Sequence, residues 1–88
     1  MRIGRVSGTV VATIKHAALA RWRWLLVDYL TLDGAPTGDY AIALDAGVGA
    51  NRGDVVLIVD EGNGARDILG DPAAPARAVI AGIVDAID

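Results

Sequence analysis

The 88-residue sequence has no cysteine and no phenylalanine, only one histidine, and three prolines. Without cysteine there is neither a disulfide framework nor a thiolate metal site. His16, the lone imidazole, has no further ligand at metal-binding spacing and no serine or cysteine nucleophile motif beside it. Asp60-Glu61 is a carboxylate pair, but adjacent residues at a strand end point to opposite sides and do not form an acid–base couple. The expectation is a protein that is not an enzyme, with no cofactor and no metal. No apolar run approaches the ~18–20 residues of a membrane span. Met1-Arg2-Ile3-Gly4 leads straight into a patterned segment rather than a signal-peptide core. A cytoplasmic protein with no membrane partner is expected.

Basic and aromatic residues are also scarce. Net charge is −3, and aromatics amount to two Trp and two Tyr. Binding single-stranded nucleic acid requires a basic groove and exposed rings on which bases stack. Arg21-Trp22-Arg23-Trp24 is the only local cluster of that kind and is too short to make such a face. No nucleic-acid partner is expected.

What is abundant is apolar surface. Hydrophobic residues make up 53% of the chain and the mean hydropathy is +0.43. A chain of this length forms one domain, here residues 1–88, and buries only about 60–65% of its unfolded surface. So apolar a composition exceeds what one small core can hide, and subunit contacts are the simplest place for the excess. Charge is unevenly distributed. Residues 1–30 carry five basic residues against one acid, and residues 31–88 carry three against ten. Such asymmetry suits head-to-tail packing of copies, or simply solvates outer faces.

Gly4 to Ile14 alternates with period two: Val6, Val10, Ala12 and Ile14 share a face with Gly4 and Gly8, opposite the mostly polar face of Arg5, Ser7, Thr9, Val11 and Thr13. Glycines on the inward face suit a long strand coiling around a small barrel. Residues 15–23 read as a loop. Trp24 to Leu32 is a second strand, apolar on both faces apart from Asp28 and Thr31. Asp33-Gly34-Ala35-Pro36-Thr37-Gly38 is a turn, and Asp39 to Asp45 alternates as a third strand. Gly53-Asp54 turns into Val55 to Val59, a buried fourth strand. Asn63 is a plausible N-cap and Gly70 a plausible C′ residue for a two-turn helix, with Pro72 blocking continuation. The tail, from Arg77 or Ala78 to Ile87, is Val/Ile-rich and reads as a fifth strand. The sum is all-β: a small five-stranded OB-like β-barrel with one short helix between the fourth and fifth strands.

The loop Ala46-Gly47-Val48-Gly49-Ala50-Asn51-Arg52-Gly53-Asp54 has the glycines of a phosphate loop but not its mechanics. It lacks the terminal lysine followed by Ser or Thr, and a strand follows where a helix should begin. A turn-rich connection is expected.

Several of these segments resemble one family in order along the chain. They are Met1-Arg2-Ile3-Gly4-Arg5-Val6-Ser7-Gly8-Thr9-Val10-Val11-Ala12-Thr13-Ile14-Lys15-His16, Trp24-Leu25-Leu26-Val27 with Asp33 to Gly38, Asp45-Ala46-Gly47-Val48-Gly49-Ala50, Gly53 to Leu57, Gly62-Asn63-Gly64-Ala65-Arg66, and Pro75 to Ile87. Together they are similar to the EutN/CcmL family, the pentameric vertex proteins of bacterial microcompartment and carboxysome shells. The resemblance implies a structural shell protein: a homopentamer of OB-like barrels capping fivefold vertices beside hexameric shell proteins. It places the protein in the shell of a cytoplasmic microcompartment. It also offers Gly47, Gly49, Gly53, Asp54, Gly62, Asn63, Gly64 and Arg66 as subunit-interface or assembly residues, with Arg66 anchoring its segment at the subunit boundary. Asn63 and Gly64 depart from the family's paired serines. The alternative function is an OB-like binding module for single-stranded nucleic acid or a small ligand.

Overall fold

The computed structural model describes residues 1–11, 22–60 and 78–85. Within them run β1 (Arg2–Val10), β2 (Arg23–Leu30), β3 (Pro36–Asp45), β4 (Val55–Asp60) and β5 (Ala78–Ile83). They close into a barrel in the order β1-β2-β3-β5-β4. Every neighbouring pair is antiparallel except β3 and β5, which meet in parallel at Leu44 and Val79. The all-β, five-stranded barrel expected from the alternation is therefore present. The short helix expected around 63–70 lies outside the described residues, as do His16, Glu61 and Arg66.

One apolar face of each strand fills the barrel. Leu25, Val27, Val56, Ile58 and Ile80 have no exposed surface, and Val6, Tyr29, Ala43, Ala50 and Ala78 complete the cluster. Burying a leucine-sized side chain contributes roughly 1.5–3 kcal/mol, so these residues are the main source of cohesion.

Several strand boundaries differ from the sequence reading. β2 stops at Leu30 rather than Leu32. Thr31 instead organises the hairpin loop: its N–H donates to Ala35 O at 2.8 Å, its carbonyl accepts from Gly34 N at 2.9 Å, and its Oγ1 accepts from Ala35 N at 3.1 Å. β3 begins at Pro36 instead of Asp39. Proline is tolerated as the first residue of a strand, and Gly38 (φ +88°) supplies a bulge. That bulge lets Asp28 pair with Tyr40 and Leu30 with Pro36. β5 ends at Ile83, although the Val84 N–H still donates to Val55 O at 2.8 Å.

The inward alternation expected along the whole first strand also breaks. The register slips between Val6 and Gly8, so Val6 faces Val27 while Gly8 faces Leu26. Ser7 is the extra residue, and its Oγ donates to Leu26 O at 3.2 Å. One extra residue reverses which side the following side chains take. Gly4 is inward and buried, whereas Gly8 shares the outer face with Leu26. β1 itself ends at Val10, and Val11 is exposed outside it.

Candidate functional site

The glycine-rich connection after β3 folds around its own first residue. Asp45 ends the strand with its side chain 1% exposed. Its Oδ1 accepts from the N–H of Gly47 (3.1 Å), Val48 (2.7 Å) and Gly49 (3.3 Å). Its Oδ2 accepts from Gly49 (3.1 Å) and Ala50 (2.8 Å). Gly47 (φ +105°) and Gly49 (φ +82°) hold backbone conformations that side chains disfavour, which allows successive N–H groups to converge on one carboxylate. The Arg23 guanidinium, half-exposed, lies 3.8 Å from Oδ2. The loop's anion-binding donors are therefore occupied by an internal carboxylate. This is the physical reason the glycines do not form a phosphate cradle.

The Gly53-Asp54 turn is fastened just as locally. Asp54 Oδ2 accepts from Asn51 N at 2.8 Å, Gly53 N donates to Val6 O at 2.8 Å, and Val6 N donates to Asp54 O at 2.9 Å. The turn thus extends the β1–β4 ladder by its backbone. Four of the expected assembly residues, Gly47, Gly49, Gly53 and Asp54, sit in two short turns at the margins of the barrel. Gly62, Asn63, Gly64 and Arg66 lie outside the described residues.

A cluster the sequence reading missed closes another part of the barrel. The Tyr29 hydroxyl donates to Asp60 Oδ2 at 3.1 Å, and the Arg2 guanidinium stacks 3.5 Å above the Tyr29 ring. Burial first, then the hydrogen bond and charge of Asp60, push the Tyr29 phenol above its ordinary pKa, while Arg2 pulls it down. The Asp60 carboxylate is thus half of a tyrosine–carboxylate pair. The only hint in the sequence was polar groups at the ends of two strands.

A nucleic-acid face does not form from the described residues. Tyr29 is buried, and Trp22 and Trp24 are half-buried. Tyr40 is 69% exposed but stands next to Asp39 and pairs with Asp28, whose other neighbour across the sheet is Arg5, so no net basic surface surrounds it. The Trp24 indole N–H is buried with no acceptor. Among the described residues no three His, Asp or Glu side chains gather to hold a metal ion.

What remains among the described residues is a closed five-stranded barrel with self-satisfied turns and outward-facing apolar side chains. Comparison with known proteins gives the family. Residues 1–85 match the model described as ethanolamine utilisation protein EutN/carboxysome, and the chain belongs to the EutN/CcmL family. The carboxysome shell vertex protein CcmL of Gloeobacter violaceus is 38% identical over 87 residues, covering 99% of this chain and 85% of that protein. A solved structure of the ethanolamine utilization protein EutN superposes with a TM-score of 0.91 at 34% identity, covering 100% of this chain and 90% of that one. GrpN, a pentameric microcompartment shell protein from Rhodospirillum rubrum, superposes with a TM-score of 0.84 at 31% identity, covering 100% and 98%. These relatives are shell proteins and not enzymes.

Proposed function

We propose that this chain is a structural shell protein, forming a homopentamer that caps the fivefold vertices of a polyhedral bacterial microcompartment in the cytoplasm. Its partners are further copies of itself and hexameric shell proteins at the facets. The full-length match to a family that includes pentameric GrpN carries the reading. The apolar composition supports it, because a ring gives each barrel two neighbours against which to bury the excess. Gly62, Asn63, Gly64 and Arg66 are assigned to the subunit boundary, with the turns carrying Gly47, Gly49, Gly53 and Asp54 at the barrel margins. Co-production with the hexameric shell proteins of one microcompartment tests the vertex role. Image reconstruction of the particles should place the chain at fivefold corners. Particles that close equally well without it, and exclude it when it is present, would sink the assignment.

A further inference from the structure

Three glycines lie inside strands without a positive φ: Gly4 and Gly8 in β1 and Gly82 in β5. The fold explains Gly4. A Cβ there would collide with the Val27 side chain, approach Asp28 O to 3.0 Å and meet Ile58 Cδ1 at 3.1 Å. The described residues explain neither of the others, because among them a Cβ on Gly8 or Gly82 would meet nothing within 4 Å. A glycine inside a strand weakens the strand, and it marks places where another backbone comes close. Among the described residues, nothing in the subunit itself comes close to either.

Each of these two glycines stands in a row of outward apolar side chains. Gly8 pairs with Leu26, and Leu26 with Ile42, which is 49% exposed; Tyr40, two residues away on the same face, is 69% exposed. Gly82 pairs with Leu57, and Leu57 with Ile3, both half-buried. The rows centre on β2 (Leu26) and β4 (Leu57), which lie on either side of β1 in the barrel order, so they occupy different flanks. Arg5 stands between them, opposite Asp28 on β2 and Val55 on β4, so its charge belongs to both flanks.

We infer that these are the two joining faces of a head-to-tail ring: the Gly8–Leu26–Ile42 flank of one copy abuts the Ile3–Leu57–Gly82 flank of the next. The inference rests on the homopentamer reading and assigns its surfaces. A ring needs two different complementary patches on each subunit. Glycine on each patch lets the neighbouring chain approach the strand backbone, while the apolar rows exclude water.

Two experiments read this out. Gly8→Val and Gly82→Val add β-branched side chains that suit a strand and meet no described residue of the same subunit within 4 Å of the added Cβ. Native mass spectrometry should show each variant losing the pentamer for monomer, with a melting temperature of the barrel no lower than before. Pentamers that persist in both variants, or monomers whose own unfolding comes earlier, overturn the inference. Because the chain has no cysteine, introduced thiols are the only ones present. In the Ile42→Cys, Leu57→Cys double variant a short bis-maleimide should give a ladder of two to five linked chains, and neither single variant should be linked. An unlinked pentamer, or dimers from Ile42→Cys alone, contradicts the head-to-tail pairing. A wild-type chain that is itself monomeric fails the parent reading, which separates the two failures.

Discussion

The backbone N–H of Ala50 donates to Asp45 Oδ2 at 2.8 Å, so the carboxylate that ends β3 closes the loop from its far side. Residues 47–50 all donate to this one side chain, which is 1% exposed. Asp45→Asn keeps the shape but sets an amide NH2 among N–H donors, and it should cost about 3–5 kcal/mol of barrel stability. Arg23→Ala removes a half-exposed ion pair at 3.8 Å and should cost under about 1 kcal/mol. Urea unfolding of the two variants checks the contrast; equal losses would mean that the ion pair, and not the ring of N–H groups, holds the loop.

Tyr29 and Asp60 join β2 to β4 across the intervening β1. The folded-state pKa of Tyr29 is raised from 10.0. A raised phenol pKa means that the fold favours the protonated form. The contribution is therefore fully present below the unfolded pKa of 10.0 and is lost as pH rises through the folded value. Stability should be flat in this term near neutrality and fall above about pH 10. Tyr29→Phe should cost about 1 kcal/mol at pH 7 and show a shallower alkaline decline. Thermal melts of both proteins from pH 7 to 11 check it.

Gly4→Ala should destabilise the barrel by about 1–3 kcal/mol, since the added methyl meets Val27, the Asp28 carbonyl and Ile58 in a filled interior. The measurement is the urea midpoint at unchanged m-value. An unchanged midpoint would show that β1 can move away from β2 at little cost.

Arg66→Ala should weaken pentamer assembly more than barrel folding, as its family-derived place at the subunit boundary requires. Sedimentation across a dilution series, with thermal melts of the dissociated chain, separates the two effects. Unchanged oligomer size with lowered monomer stability would assign Arg66 to the fold.

How far these features could be read from sequence depended on how local their causes are. Period two in Tyr40, Ile42 and Leu44 and the β-branched run Val55 to Val59 announced strands, because alternation and side-chain shape act within a few residues. The Ser7 bulge did not show. Glycine at position 8 fits either an inward or an outward strand face, and only pairing with Leu26 selects the outer one. The Gly38 bulge hid for a related reason: Pro36 and Gly38 look like turn residues whether a strand runs through them or not. Tyr29–Asp60 and Arg2–Tyr29 join residues far apart in the chain, which composition and spacing cannot align. The family was legible because motifs at both ends and in the middle agree in order, and residues 1–85 match its model. The resemblance drew attention to loop glycines, of which Gly47, Gly49 and Gly53 serve turns of their own subunit, whereas Gly8 and Gly82 have no described residue of the subunit within 4 Å of an added Cβ.

Native mass spectrometry of the purified wild-type chain bears most directly on the vertex-protein account. A dominant species of five times the 9.1 kDa chain is predicted, stable on dilution. A dominant monomer or dimer would contradict it.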